Sequence, residues 1–567
     1  MGTSTQTIRT RWALVVLATI VLAAMFVSNP ASADEVPSGY TYSDAWFTST
    51  DGTQLHAGVF LPANRKPNEK HPVLLVSTPY TAPNGGSTSP GNSEGPVIRF
   101  PELFSHKGFM DGRWAYVQVD VRGFGGSGGC FEYYMPSEAK DVKVAVNWAA
   151  DQRWSTGRVG MWGKSYDAAQ EVLALASGPQ GLKGAVIQAP GLSAYTALWM
   201  NGVHYATGRY ATTGVYTAED LAPPQNQDTA TSPEYALATS AAITSPPTCR
   251  TDALVGMNTE RDRRGEFWRG REAYLKAAGS KVPVLWSHGF FDANTKPVGL
   301  DIWKSLKGPK QAWFGQYTHL RGHEAGVGRD GFLDESIRFL DRYVRKVKVA
   351  KRDPAITVQS GNGVGRWRTE KSWPPSDAKS WSFPVRSGSY VDEPGNTGEG
   401  SSAGQGHWTF TSPLPYAAHL AGETRLKTEI ESSATNVHVV AHLYDVAPDG
   451  SAHLVTRGAM AAPESGKQTV SYTLYPQDWV FEKGHRIAIH LSGADDDWFS
   501  PGTSMTTVDV LNGSVALPLL HYLREDFVPG GPSDGMSGTP ASVDDATIKG
   551  ATVKSKPPPK QERRPKG

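Results

Sequence analysis

One serine, Ser165, stands where a short apolar stretch meets a run of helix-forming residues. The stretch reads GMWGKSYDAAQ from Gly160 to Gln170. On a sharp strand-to-helix turn, small residues two positions before and after a nucleophilic serine relieve crowding. Gly163 meets this requirement, whereas Asp167 stands where the usual pattern has glycine. The motif alone therefore leaves two interpretations open, a catalytic nucleophile and an ordinary hydroxyl at a helix start.

Two further side chains follow later predicted strands in the order serine, acid, histidine. VPVLWSHGFFD ends in Asp292, and AWFGQYTHLRG carries His319. Because both come just past the C-terminal ends of predicted strands, we expect them to converge with Ser165 above one edge of the sheet. His319 would then take the proton of Ser165, while Asp292 would orient the imidazole and stabilise its cation.

Other residues near these positions could fill the same roles, namely His288, His323 and Glu324. His288 lies inside the end of the predicted strand, and His323 comes four residues after His319, so the order of elements favours His319. Taken singly, Asp292 also fits a turn or a helix cap, and His319 also fits a loop histidine. The combination of all three residues at strand ends favours catalysis.

The negative charge that develops on an attacked carbonyl oxygen requires hydrogen-bond donors. The backbone N–H of Tyr166, directly after the serine, is one candidate. Tyr80, in the loop after HPVLLVSTPY, offers a hydroxyl as the second. From the residues alone, a donor and a packing tyrosine remain equal alternatives for Tyr80.

The pattern around these residues predicts a parallel α/β sheet. HPVLLVSTPY and WAYVQVDVRG are continuous apolar runs, which suit strands buried on both faces, and helix-like segments alternate with such runs. An Asp51-Gly52 turn predicts a hairpin at the start. The alternation breaks at about 191–278, where we expect a cap inserted over the C-terminal edge of the sheet. The predicted catalytic domain spans 34–355.

Alternating strand-like runs such as VHVVAHLYDV and HRIAIHLSG predict an all-β sandwich or jelly roll over 356–527. The boundary should lie between Ala355 and Trp381. Residues 528–567 are rich in Pro, Gly, Ser and Lys with few large apolar groups. This composition predicts a disordered tail.

The N terminus predicts export. Arg9 and Arg11 precede the apolar run WALVVLATIVLAAMFV, and Ala31-Ser32-Ala33 forms a small-residue cleavage pattern. We therefore expect a signal peptide over 1–33 and a mature chain beginning at Asp34, secreted and without stable membrane association; an uncleaved anchor is the alternative. Export also makes a disulfide between the two cysteines, Cys130 and Cys249, a reasonable prediction.

Charge and motifs exclude several classes of function. The 56 Lys and Arg residues against 55 Asp and Glu give a net charge of +1, so no overall field would recruit nucleic acid. HExxH and CxxC metal patterns are missing, and GFGGSGG lacks the Lys-Ser/Thr of a phosphate loop. We expect neither metal nor cofactor, and a small peptide or ester as substrate. Homo-oligomerisation stays open.

Several motifs together resemble the X-Pro dipeptidyl-peptidase and cocaine-esterase family of serine hydrolases. They are STPYTAP, DVRGFGGSGG, WSTGRVGMWGKSYDA, VPVLWSHGFFDANTK, GQYTHLRG and FEKGHRIAIHLSGAD, in the family's order from about Ala45 to Leu520. The resemblance implies an α/β-hydrolase domain with a helical cap and a C-terminal jelly roll. It also implies that Ser165, Asp292 and His319 are nucleophile, acid and base, and that Tyr80 is the oxyanion tyrosine. The family commonly has Gly-x-Ser-Tyr-x-Gly, whereas this chain has Ala168 at the last position.

Three functions share this pattern. The GKSYD and SHGFFDANTK stretches favour an X-Pro dipeptidyl-peptidase, an esterase or acylase could use the same residues, and an inactive binding scaffold is the remote alternative. A peptidase needs a carboxylate for the substrate amine and an apolar pocket for proline. The cap supplies candidates of both kinds: Glu219, Asp220, Glu234, Trp199, Tyr205 and Tyr210.

Overall fold

The structure is a computed structural model of the chain. It describes residues 36–80, 98–206, 248–362, 365–394, 406–495, 498–538 and 540–564. The predicted signal peptide and the expected first mature residue, Asp34, lie outside these ranges. Within them, no helix is both long enough and apolar enough to span a bilayer. The chain divides into two compact units, one of residues 1–132, 140–159 and 209–254, the other of residues 133–139, 160–208 and 255–567.

The first unit contains strands that pair in the order β1-β2-β4-β3. Its elements are β1 (Tyr40–Thr48), β2 (Gln54–Pro62), β3 (His71–Thr78), α1 (Glu102–Ser105), β4 (Ala115–Asp120) and most of α2 (Pro136–Asp151). β1 and β2 form an antiparallel hairpin, with Gly52 in the left-handed conformation at φ 89°. This confirms the predicted hairpin. β3 and β4 pair in parallel, as their apolar runs predict.

Strand β5 (Ser155–Lys164) begins in the first unit and ends in the second. The helices that follow are α3 (Tyr166–Ser177), α4 (Ala194–Leu198), α5 (Thr248–Thr259), α6 (Glu266–Arg269), α7 (Leu300–Ser305) and α8 (Phe332–Leu340). The strands among them are β6 (Leu182–Gln188), β7 (Trp199–Met200), β8 (Val203–His204), β9 (Val284–Gly289), β10 (Lys310–Gly315), β11 (Ile356–Gln359) and β12 (Trp367–Glu370). β6, β9, β10 and β11 pair in parallel in that order, and β12 adds antiparallel to β11.

The sheet of the second unit extends further along the chain than predicted. The ITVQSG run, expected in the sandwich, contains β11 and pairs with β10. The sandwich begins at β13, inside the interval predicted for the boundary. A four-residue strand carries too little pattern to show which sheet it joins, because both faces are buried in either case.

The C-terminal part of the second unit consists of two antiparallel sheets. Its strands are β13 (Ala378–Val385), β14 (Gly388–Val391), β15 (His407–Phe410), β16 (Ala418–Ser432), β17 (Val437–Val446), β18 (Ser451–Ala462), β19 (Gly466–Phe481), β20 (Arg486–Ser492) and β21 (Thr507–Leu520). One sheet has the order β13-β21-β16-β19, and the other runs β15-β20-β17-β18. Side chains from both sheets form one buried cluster that includes Phe383, Leu426, Leu443 and Ile489. A sandwich with such a shared core is what the alternating runs predict.

The prediction of a disordered tail is wrong. The tail forms β22 (Phe527–Val528), β23 (Ala541–Ser542) and helix α9 (Asp545–Gly550). β22 pairs with β12 and β23 with β18. Val543, Ile548 and Ala551 pack into a buried cluster with Trp408 and Phe410. Composition misled the prediction because a segment that lies on an existing apolar surface needs few large apolar groups of its own.

Candidate active site

Ser165 lies on a strained turn between β5 and α3. Its backbone has φ 67° and ψ −122°, a conformation that non-glycine residues rarely adopt. At Gly163, an added Cβ would lie 2.6 Å from the main-chain carbon of Asp167 and 2.7 Å from the nitrogen of Ala168. Glycine is therefore required at this position, and Asp167 is accommodated. The turn has the geometry of a nucleophile elbow.

Asp292 and His319, which follow β9 and β10, meet directly. The Nδ1 atom of His319 lies 2.8 Å from Oδ2 of Asp292. Oδ1 of Asp292 accepts the backbone N–H groups of Asn294 and Thr295 at 2.9 and 3.0 Å. Asp292 is fully buried, and the side chain of His319 is 15% exposed. A carboxylate held in this way fixes the tautomer of the imidazole so that Nε2 can accept a proton.

Asp292 and His319 each shift the pKa of the other. Burial alone would raise the pKa of Asp292, but the charge of His319 and hydrogen bonds from His288 and His319 hold it well below its ordinary value. Burial lowers the pKa of His319, although the charge of Asp292 acts in the opposite direction; the charge of Lys164 lowers it further. The result is an ionised acid beside a neutral imidazole, the pairing that general base catalysis requires.

Of the three rival residues, only His288 contacts the acid among the residues that the structure describes. Its Nε2 atom lies 3.4 Å from Oδ2 of Asp292, and the ring is 1% exposed within β9. Glu324 accepts the backbone N–H of Arg321 at 3.2 Å. His288 is thus a buried neighbour of the acid, whereas His319 combines the shorter contact with partial exposure.

Gln188, at the end of β6, joins the serine turn to the histidine loop, and the sequence analysis missed it. Its carbonyl accepts the N–H of Ser165 at 3.0 Å, and its side-chain oxygen accepts the N–H of Gly322 at 2.9 Å. The hydroxyl of Thr295 donates to Ala189, the next residue, at 3.1 Å. These bonds join the end of β6 to the serine turn and to the loops that follow β9 and β10. The available signal was a polar residue that ends a buried strand.

The side chain of Tyr166 is fixed below the start of α3. Its hydroxyl donates to Oε2 of Glu138 at 2.7 Å, and Gln170 donates to the same oxygen at 2.9 Å. Tyr166 is also the first residue of α3, where backbone N–H groups lie beyond the reach of intrahelical carbonyls. Its main chain is therefore held at a helix N terminus, a suitable place for an oxyanion donor.

Tyr80 lies just past β3 in the first unit. Its N–H donates to the hydroxyl of Thr78 at 3.1 Å, and the guanidinium of Arg99 lies 4.3 Å from the centre of its ring. The ring is partly exposed. Its role as oxyanion donor stays a prediction.

Lys296 is a second residue that the sequence analysis missed. Its side chain is fully buried, and Nζ donates to the carbonyls of Ala293 and, at 3.2 Å, Asn294. Nζ also lies 4.3 Å from the centre of the Tyr205 ring and 5.6 Å from that of Trp498. Burial lowers its pKa to about 7, and the charge of Asp292 opposes this effect. The side chain of Lys296 thus stabilises the turn that follows Asp292 through hydrogen bonds to its main chain.

The predicted substrate-binding residues of the cap fall into two groups. Glu219, Asp220, Glu234 and Tyr210 lie outside the described residues. The indole N–H of Trp199 donates to the carbonyl of Met257 at 2.7 Å, and Tyr205 stacks on Phe499. Both are buried residues that pack against neighbouring aromatic and main-chain groups.

The remaining predicted site features concern cysteine and metal. Cys130 takes part in a disulfide. The side chain of Cys249 lies outside the described residues, so its pairing with Cys130 stays a prediction. Across the described ranges, no three His, Cys, Asp or Glu side chains cluster in a way that could hold a metal ion.

Comparison with known proteins gives consistent matches over most of the chain. The family model described as X-Pro dipeptidyl-peptidase (S15 family) matches residues 51–321, and that of the X-Pro dipeptidyl-peptidase C-terminal non-catalytic domain matches residues 348–526. A putative Xaa-Pro dipeptidyl-peptidase of Bacillus cereus is 23% identical over 523 residues, which cover 80% of this chain and 85% of that protein. The cocaine esterase of a Rhodococcus species is 24% identical over 354 residues, which cover 58% of this chain and 59% of that protein.

A solved structure shows the same fold. The crystal structure of a CocE/NonD family hydrolase from Staphylococcus aureus aligns with a TM-score of 0.66 at 15% identity. The alignment covers 88% of this chain and 100% of the other. The chain therefore has the predicted α/β-hydrolase fold with a C-terminal β sandwich. Residues 207–247 of the predicted cap lie outside the described residues.

Proposed function

The chain belongs to the X-Pro dipeptidyl-peptidase and cocaine-esterase family of serine hydrolases, and from this premise we propose that it is an X-Pro dipeptidyl-peptidase. It releases N-terminal Xaa-Pro dipeptides through an acyl-enzyme on Ser165. The observation that carries the mechanism is the 2.8 Å hydrogen bond between Asp292 and His319, whose loop is tied to the strained serine turn through Gln188. The choice of a peptidase rests on the two family models.

The geometry supports a two-step reaction. Nε2 of His319 takes the proton of Ser165 as Oγ attacks the carbonyl carbon of the prolyl residue, and the tetrahedral oxyanion is met by the N–H of Tyr166 and the hydroxyl of Tyr80. When the C–N bond breaks, His319 returns the proton to the leaving amine. A water molecule then attacks the acyl-enzyme with His319 again as base, which frees the dipeptide and Ser165. Asp292 stays ionised throughout and stabilises the imidazolium.

An esterase or acylase is the second candidate, because the same residues would cleave an ester and the cocaine esterase is among the relatives. Both matched family models carry the X-Pro dipeptidyl-peptidase description, which favours the peptidase. The test compares kcat/KM on Gly-Pro and Ala-Pro anilides with kcat/KM on simple aryl esters. We expect the anilides to be good substrates. A preference for esters of more than about 100-fold, roughly 2.7 kcal/mol of transition-state binding, would contradict the peptidase and favour the esterase.

Export is part of the same proposal. The charged start, the apolar run and the Ala31-Ser32-Ala33 pattern support a signal peptide. Expression in a secreting host, followed by N-terminal sequencing of protein from the medium, should give a chain that begins at Asp34. An intact N terminus retained in the membrane fraction would instead favour the uncleaved anchor.

A further inference from the structure

The ordered tail contacts the loop that carries His319. Thr318, the residue before His319, donates its backbone N–H and its hydroxyl to the two carboxylate oxygens of Asp534, at 2.9 and 2.6 Å. Hydrogen bonds to an ionised acceptor are short and directional. Two of them on one residue fix both the position and the direction of the main chain that leads into the imidazole.

Neighbouring tail residues bind one end of the same loop directly and the other end through Gln359 of β11. The N–H of Gly531 donates to the carbonyl of Gly328 at 2.7 Å. The hydroxyl of Ser533 donates to Oε1 of Gln359 at 2.6 Å, and that oxygen also accepts the N–H of Gln316 at 2.8 Å. The tail therefore spans the histidine loop from residue 316 to residue 328.

The fit is close at the level of single atoms. A Cβ added at Gly535 would lie 2.6 Å from the carbonyl oxygen of Gln316. One added at Gly328, where φ is 76°, would lie 2.5 Å from the carbonyl oxygen of Pro532. Glycine permits these approaches because it has no side chain. The surfaces of the tail and of the loop that carries His319 are therefore complementary in shape.

Both ends of the segment are anchored. Before it, β22 pairs with β12, and after it, β23 pairs with β18. The segment also lies beyond residue 526, where the match to the family's C-terminal domain ends. An acid held between two fixed strands can restrain a loop instead of moving with it.

We propose that residues 530–536 position the catalytic histidine, with Asp534 as the positioning residue that acts through Thr318. This inference rests on the proposed role of His319 as base. A base must be held within a fraction of an ångström of its productive place, since small displacements reduce the rate steeply. Asp534 touches neither substrate nor reacting atoms, so it should affect the rate of reaction and leave substrate binding intact.

The test is steady-state kinetics of full-length Asp534→Ala on Ala-Pro anilide, with its thermal midpoint measured in parallel. We expect kcat to fall on the order of tenfold, KM to change less than twofold, and Asp534→Asn, which retains one acceptor, to recover part of the loss. Asp545→Ala is the matched control, because this tail carboxylate is 83% exposed and lies in α9, outside residues 530–536. It should behave as wild type.

Thr318→Val provides a second variant that leaves the tail intact and removes only one hydrogen bond. Its kcat should fall at least threefold at unchanged KM, even if Asp534→Ala proves unstable. Wild-type kcat in a folded Asp534→Ala variant or in Thr318→Val would overturn the proposal. A fall in kcat/KM caused by a higher KM would also overturn it, and so would an equal loss of activity in the control Asp545→Ala. If wild type hydrolyses neither anilides nor esters, the proposed function itself has failed, which is a distinguishable result.

Discussion

The imidazole of His319 and the carboxylate of Asp292 share a 2.8 Å hydrogen bond, although the two residues are 27 positions apart in the chain. The carboxylate is fully buried and accepts two further backbone N–H groups. It is therefore oriented before any substrate arrives. An orientation built into the fold costs nothing during the reaction, and this is the main advantage of a preorganised base.

Asp292→Asn should reduce kcat/KM by about 10³ to 10⁴-fold on peptide and ester substrates alike. The amide would favour the wrong tautomer of His319 and would not stabilise the imidazolium. Asp301→Asn in α7 is the control, because that carboxylate is 75% exposed. Activity of Asp292→Asn within tenfold of wild type would show that another acid orients the base.

The pH dependence of kcat/KM should reflect the lowered pKa of His319. Only the neutral imidazole can accept a proton, so kcat/KM should rise with pH through an acid limb with its midpoint below 6.5. The measurement is a pH profile at substrate concentrations far below KM. A midpoint above 6.5 would mean that attraction to Asp292 outweighs burial.

A substitution of Lys164 separates the causes of that shift. Because the charge of Lys164 lowers the pKa of His319, Lys164→Met should move the acid limb to higher pH. Lys281→Met, at an exposed position, serves as control and should leave the limb in place. An unchanged limb in Lys164→Met would show that the charge of Lys164 does not contribute to the shift.

Lys296 should make stability depend on pH between about 7 and 10.5. Its pKa is about 7 in the folded chain, whereas a solvated lysine has a pKa of 10.5, so the unfolded chain binds more protons across this interval. The free energy of unfolding then rises with pH. Thermal midpoints of wild type relative to Lys296→Met should therefore increase from pH 7 to pH 9. Parallel curves for the two proteins would contradict a buried, readily deprotonated amine.

Elements of the parallel sheet that carry a strong local pattern were predictable, whereas the four-residue strand β11 was expected in the sandwich and pairs with β10 instead. Continuous apolar runs predict β3 and β4, and Asp51-Gly52 predicts the first hairpin. Ser165, Asp292 and His319 each follow a predicted strand. Once the topology of the sheet is assumed, these positions alone predict that the three residues lie close together. The local sequence was sufficient to predict strands whose pairing follows from their hydrophobic pattern.

The contacts that the sequence did not predict depend on tertiary structure. Gln188 and Lys296 look like ordinary polar residues until the loops around them are in place. The prediction for the tail was wrong for the same reason, because Ile548 and Val543 are stabilised by packing on an apolar surface formed by β15 and β18. Long-range packing of this kind leaves almost no periodic trace in the chain.

The most direct test of the account is reaction with a fluorophosphonate, followed by intact-mass and peptide mass spectrometry. Wild type should gain one adduct, located on Ser165, while Ser165→Ala gains none and His319→Ala reacts far more slowly. Equal labelling of Ser165→Ala, or an adduct on another residue of the wild type, would contradict the claim that Ser165 is the nucleophile activated by the His319–Asp292 pair.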